Sequence, residues 1–381
     1  MRVSGPSRLV GELLEEILSQ GAGPAPTKIG LMAYGSELGA AEIVAGARLA
    51  QESRDLQVLP IGPQVPEGEG LDWIETDGCE ADVVAAMEGA LAEGRIDGAV
   101  ALHYPFPLGV ATVGRVVVPA DGRDLLVATS TGASATDRVE AMVKNALLAR
   151  AVARSLGKTD PSLGVLNVEG APSALRALKS LADGGYPLRF GRSGRGDGGA
   201  LLRGNDLLSG AVDICLCDTL TGNVLVKLFS AFTTGGGRES LGWGYGPSVG
   251  EGWPSVISII SRASGASVIA GALTFTAQAV RSHLPRLVEE EFAAARRAGL
   301  AELLRRERPQ GPEAPAAPPA EPTDAEIHGV DVLAVEDAVK LLWEAGVYAE
   351  SAMGCTGPVV KIASARKGRA EAILRQAHLI D

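Results

Sequence analysis

The chain has 381 residues, a formal net charge of −11, 46% hydrophobic and 21% charged residues, and only 4% aromatics. That length suits two or three domains, the balance is that of an ordinary globular protein, and a core so poor in aromatics must be built from Ala, Val, Leu and Ile. No Lys/Arg cluster reaches the size of a nucleic-acid footprint, LLRRERP (303–309) being a solvated helix end, and no run of about 20 apolar residues offers a membrane span.

The first residues, MRVSGPSRLVGELLEEIL, form an amphipathic pattern with Glu12, Glu15 and Glu16 and no apolar h-region. They predict a helix over 5–19 and not a secretory signal, so a cytoplasmic protein is expected. Strands and helices then alternate. Strands are expected over 28–35, 56–61, 98–102, 115–118, 125–128, 163–168 and 213–217. Helices are expected over 40–53, 81–93, 138–156, 173–181 and 222–232. A last helical pattern over 275–298 is interrupted by Pro285. Such alternation implies a mostly parallel sheet with helices on both faces. Two glycine-rich stretches stand out. One, GRSGRGDGGALLRG (191–204), lacks the Lys-Ser or Lys-Thr ending of a nucleotide P-loop. The other, 235–252, reads as a lid or interface loop.

The stretch that carries chemistry is AVDICLCDTLTGNVLVK (211–227). An apolar run broken only by Asp213 leads to Asp218, then Thr221, Gly222 and Asn223, and then a helix bearing Lys227. In open α/β sheets ligands bind beyond the carboxyl ends of strands, where the free amides of the next helix attract anions. Asn223 and Lys227, four apart, share one helix face. They become candidate phosphate ligands, with Asp218 either orienting phosphate or capping the helix. TSTGAS (129–134) precedes the 138–156 helix, and Ser134 or Thr136 is its expected cap. His103, after the strand at 98–102, is a candidate base or phosphate donor. Cys215 and Cys217 lie on one strand face, where small apolar packing outweighs metal binding because no further Cys or His stands near. No metal and no organic cofactor is expected.

Residues 308–323, RPQGPEAPAAPPAEPT, hold six prolines and no apolar period. They read as an extended linker spanning up to about 50 Å at roughly 3.1 Å per residue. The expected organisation is a body (1–307), this linker (308–323) and a compact α/β tail (324–381). In the tail SAMGCTGPVVKI places Cys355 in a turn between Gly354 and Gly357. Cys355 reads either as a buried structural cysteine or as a nucleophile, in which case the thiolate reacts and turn amides can lower its pKa and hold a thioester oxyanion.

AVDICLCDTLTGNVLVK resembles the signature of the bacterial phosphate acyltransferases of fatty acid and phospholipid synthesis: a strand ending in Asp, a Gly-Asn pair, and a Lys on the next helix. PSLGVLNVEG (161–170), NDLLSGAVD (205–213) and, loosely, GYGPSVGEG (244–252) follow in the same order. Thr219 and Leu220 stand where that family has Gly-Phe. The resemblance implies an isocitrate-dehydrogenase-like α/β fold with two subdomains, and phosphate as co-substrate. Body, linker and Gly-Cys-Thr-Gly-Pro tail together resemble the alpha-subunit family of component C of glycine/sarcosine/betaine reductase complexes. That likeness implies an acetyl thioester on Cys355, phosphorolysis to acetyl phosphate at a site drawn from Asp218, Thr221, Gly222, Asn223, Lys227 and His103, and an oligomer. The implied partners are a ketoacyl-synthase-like beta subunit and a selenoprotein component A. The alternatives are a non-catalytic scaffold subunit and a phosphate acyltransferase of phospholipid synthesis.

Overall fold

The computed structural model describes residues 25–196, 198–307, 315–331, 334–354 and 357–380. The expected N-terminal helix and the first half of the linker lie outside them. In chain order the body contains β1 (Thr27–Met32), α1 (Ala40–Ala50), β2 (Leu56–Gly62), β3 (Ile74–Glu75), α2 (Glu80–Ala92), β4 (Gly98–Ala101), β5 (Val110–Val117), β6 (Asp124–Ala133), α3 (Arg138–Ser155), β7 (Ser162–Leu166) and α4 (Ala171–Asp183). There follow β8 (Arg189–Phe190), β9 (Leu201–Leu202), α5 (Gly204–Leu208), β10 (Ile214–Leu216), α6 (Thr219–Ala231), β11 (Gly246–Gly250), β12 (Ile257–Ile259), α7 (Ala266–Arg281), α8 (Leu284–Arg297) and α9 (Leu300–Glu307). Pro285, expected to interrupt a helix, sits in the first turn of α8, where its missing N–H costs nothing.

All twelve strands join one sheet in the order β3-β2-β1-β4-β12-β11-β5-β6-β10-β7-β8, with β9 also paired to β7. The strands from β3 to β12 are mutually parallel, and so are β6, β10, β7, β8 and β9. Between these halves β11 and β5 pair antiparallel to each other and to their outer neighbours, β12 and β6. Three successive reversals leave the two halves running in opposite directions, so their carboxyl ends open on opposite edges of the sheet. Alternate residues of β6 enter different apolar cores: Val127 joins the core that also takes in α1, α2 and α6, and Leu126 and Ala128 join the one that takes in α3, α4 and α8. Both faces are thus covered, as the alternation of elements implies.

The sequence reading departs from the structure at β11. Residues 246–250, expected within a lid or interface loop, form a buried central strand. Gly246 has φ +83°, and a Cβ there would stand 1.7 Å from the Val113 carbonyl oxygen. Glycine is required where β11 meets β5, and glycine-rich composition therefore marks close strand packing here.

The tail has its own core. Antiparallel β13 (Ala325–Ile327), β15 (Gly357–Ile362) and β14 (Ala349–Gly354), in that order, carry α10 (Val335–Glu344) and α11 (Lys367–Gln376), with Leu342, Val360, Ile362 and Leu374 fully buried. Among the described residues no helix is long and apolar enough to cross a membrane.

Asp213, the one break in the apolar run before β10, is an anchor. Its carboxylate accepts the Ser162 amide at 2.8 Å and hydroxyl at 2.7 Å, and Lys158 Nζ at 3.0 Å. Burial pushes its pKa up, but the Ser162 and Lys158 contacts outweigh burial and hold it at about 2. The folded value lies below the unfolded one of about 3.9, so the contribution is complete above about pH 4 and lost as pH falls toward 2. Asp213→Asn should lower the unfolding free energy by about 2 kcal/mol at pH 7. In urea titrations across pH the gap to wild type should close between pH 4 and 2; a constant gap would assign the loss to packing.

Candidate functional site

The site lies on the edge where β6 and β10 end and α6 begins. The helix starts at Thr219, three residues before the expected position, because Asp218 caps it. The Asp218 carboxylate accepts the Thr221 amide at 3.0 Å and the Thr221 hydroxyl at 2.6 Å. Asp218 and Thr221 are therefore brought together, as a helix cap.

Gly222 lies in the first turn of α6, buried against β6. A Cβ there would fall 1.8 Å from the Thr129 carbonyl oxygen and 3.2 Å from Cys217 Sγ. The glycine of the Gly-Asn pair is thus a contact point between helix and strand. Asn223 completes that contact by donating its side-chain amide to the Ser130 carbonyl at 3.0 Å.

Lys227 stands eight residues into α6, about 12 Å along its axis from Thr219 at 1.5 Å per residue. It is exposed, with Nζ 5.9 Å from the centre of the Tyr245 ring. The sequence reading sets Lys227 at an anion at the helix start; the earlier start carries it into the third turn of α6. His103 is not brought to this cluster either. It follows β4, which runs opposite to β10 and is separated from it by β12, β11, β5 and β6.

A network of hydroxyls and amides backs the edge, and sequence reading missed most of it. The Asn145 side-chain amide, buried on α3, donates to Thr129 Oγ1 at 3.3 Å, and the Thr129 and Thr219 hydroxyls meet at 2.9 Å. The Thr219 hydroxyl also reaches the Gly132 carbonyl at 3.2 Å. Ser134 donates to Asn145 Oδ1 at 2.6 Å. Residues 129–133 continue β6, so TSTGAS is strand for most of its length, and the cap of α3 is Asp137, accepting the Glu140 amide at 2.7 Å. Behind it Thr112, Ser130 and Thr131 join hydroxyls at 2.7–2.9 Å. The signal available in sequence was the density of Ser and Thr at the end of an apolar strand.

With the Thr221 amide taken by Asp218, the amides of Thr219 and Leu220 meet no acceptor among the described residues. Two unpaired N–H groups at the positive end of a thirteen-residue helix, beside a hydroxyl-rich strand end, can hold a phosphate or a developing oxyanion.

The thiols divide sharply. Cys215 and Cys217 are fully buried in the core. The Cys217 thiol is pushed well above its ordinary pKa by its hydrogen bond with Cys215, by burial and by the nearby Asp218 charge, so it stays protonated. Cys79 is exposed, but it caps α2 and donates to the Asp82 carboxylate at 2.8 Å. Cys355 lies outside the described residues.

The family model described as fatty acid synthesis protein matches residues 27–361. The chain is 42% identical to the glycine/sarcosine/betaine reductase complex component C subunit alpha of Peptoclostridium acidaminophilum, over 99% of this chain and 100% of that one. It is 26% identical to the phosphate acyltransferase of Thermotoga neapolitana and 27% identical to that of Nitratidesulfovibrio vulgaris, over 52% and 53% of this chain and 68% of each of theirs.

Gly222→Ala should force α6 off β6. Overpacking of this kind costs about 1–3 kcal/mol, read as a fall in the urea midpoint. An unchanged midpoint would mean that the helix can shift freely on the strand.

Proposed function

The chain belongs to the fatty acid synthesis protein family, and from that membership we propose that it is the acyl-transfer subunit of a glycine/sarcosine/betaine reductase complex. An acetyl group is carried on Cys355 as a thioester. A phosphate oxygen attacks the carbonyl carbon, a C–O bond forms, the C–S bond breaks, and the sulfur leaves as thiolate, taking up a proton as the thiol is restored. Acetyl phosphate is the product. The observation that carries this reading is the end-to-end identity of 42% with a component C alpha subunit. The unpaired Thr219 and Leu220 amides support it, because they offer a place for phosphate or for the carbonyl oxygen as charge develops. Among the described thiols, Cys215 and Cys217 are buried and Cys79 donates to Asp82; the carrier role of Cys355 rests on the resemblance to the component C alpha subunits.

In this reading the partners are the other components of the complex, a beta subunit and a selenoprotein component A, and the complex works in the cytoplasm. Residues 308–323 tether the Cys355-bearing tail to the body.

Incubation of the full chain with acetyl phosphate should add about 42 Da to the intact mass, removable by hydroxylamine as a thioester is. Cys355→Ala should remain unmodified. Addition of the same mass to that variant would remove Cys355 from the reaction.

A further inference from the structure

The strand register brings residues of three neighbouring strands to one level beside α6. Leu216 of β10 pairs with Val165 of β7, and Val165 pairs with Leu201 of β9. Counted two residues past these pairs, Asp218, Asn167 and Arg203 follow the carboxyl ends of β10, β7 and β9 at corresponding positions. The β7–β9 contact persists to that level, since the Asn167 amide donates to the Leu202 carbonyl at 3.0 Å. Neighbouring strands are spaced about 4.8 Å apart, so the ends of β10 and β9 are separated by about 10 Å. A phosphate seated over the end of β7 would have the start of α6 on one side and Arg203 on the other.

The charges at this edge single out Arg203. Asp206, buried beneath it, accepts the Ser193 hydroxyl and the Gly194 and Arg203 amides, each at 2.8 Å. One carboxylate thus pins the backbone of the glycine-rich loop and of Arg203 together. Glu169, the acid of the turn after β7, is paired with Arg138. No carboxylate among the described residues forms an ion pair with the exposed Arg203 guanidinium. The Asn167 side chain is exposed in the middle of the row.

We infer that Arg203, with Asn167, supplies the far wall of a phosphoryl-binding site whose near wall is the start of α6. This rests on the phosphate chemistry proposed above and deepens it: the fixed cation of the site comes from the residue after β9, and Lys227, in the third turn of α6, does not provide it. A guanidinium presents two parallel N–H donors to a phosphate, which an ammonium cannot reproduce. The ligand is a phosphoryl dianion, either inorganic phosphate or the acetyl phosphate that leaves.

The test is calorimetric titration of the full-length protein with inorganic phosphate, and separately with acetyl phosphate on the Cys355→Ala background so that no acetyl transfer intervenes. Arg203→Gln should weaken binding by about 10- to 100-fold with an unchanged melting temperature, Arg203→Lys should recover part of it, and Lys227→Gln should bind as wild type does. Weakening toward inorganic phosphate alone would make the site one for the attacking phosphate; weakening toward both would make it one for substrate and product alike. Undiminished phosphate binding by Arg203→Gln overturns the inference while leaving the phosphate reading intact. Failure of the wild-type chain to bind either ligand overturns both.

Discussion

Helix α6 can lie on β6 only because Gly222 has no side chain. A methyl group there would overlap the Thr129 carbonyl, and everything that defines the edge follows from the contact this permits. At that distance Asn223 reaches the Ser130 carbonyl, and Thr219 reaches the Thr129 hydroxyl and the Gly132 carbonyl. The helix start is thereby fixed against a strand end whose polar groups are themselves held by Asn145 and Ser134. Donors positioned this way need little reorganisation when an anion arrives. The Gly-Asn pair is thus a packing device that fixes the start of α6 on β6.

A chain of net charge −11 should repel phosphate, yet the acids of this edge each have a local hydrogen-bond or ion-pair partner. Asp218 is spent on Thr221, Asp206 on three donors, Glu169 on Arg138, and Glu140 on Lys144 at 2.7 Å. Burial pushes the Asp206 carboxyl up, but its backbone and Ser193 hydrogen bonds outweigh that and keep it below the ordinary range. A carboxylate held by fixed donors keeps its charge and at the same time directs that charge inward. The helix amides and the Arg203 guanidinium, which forms no ion pair among the described residues, oppose that charge at the edge.

Much of the fold was legible because apolar period and turn chemistry agreed. The run before Asp218 and the helix after it were visible, as were most of the alternating elements and the tail. What failed did so for identifiable reasons. The start of α6 was placed late because Thr-Leu-Thr has weak helix propensity, while the Asp218 cap, a local side-chain contact, decides the boundary. Strand β11 looked like a loop because Gly-Pro-Ser-Val-Gly has poor strand propensity, although its neighbours demand glycine. The short β8, β9 and β13 carry too few residues for any period. Above all, the opposed directions of the two sheet halves depend on long-range pairing of β5 and β11. No local pattern encodes that pairing, and it alone separates His103 from Asp218.

The division between body and tail makes a demand of its own. Small domains bury proportionally less surface, and a unit of this size is marginal unless its apolar stripes are matched. Here Ala338 and Leu342 of α10, Ala370 and Leu374 of α11, and Val360 and Ile362 of β15 are all fully buried within residues 325–380. A unit of this kind closes an apolar core from its own residues. Under the proposed carrier reading, a thiol that collects an acyl group from one protein and delivers it to another site needs that independence.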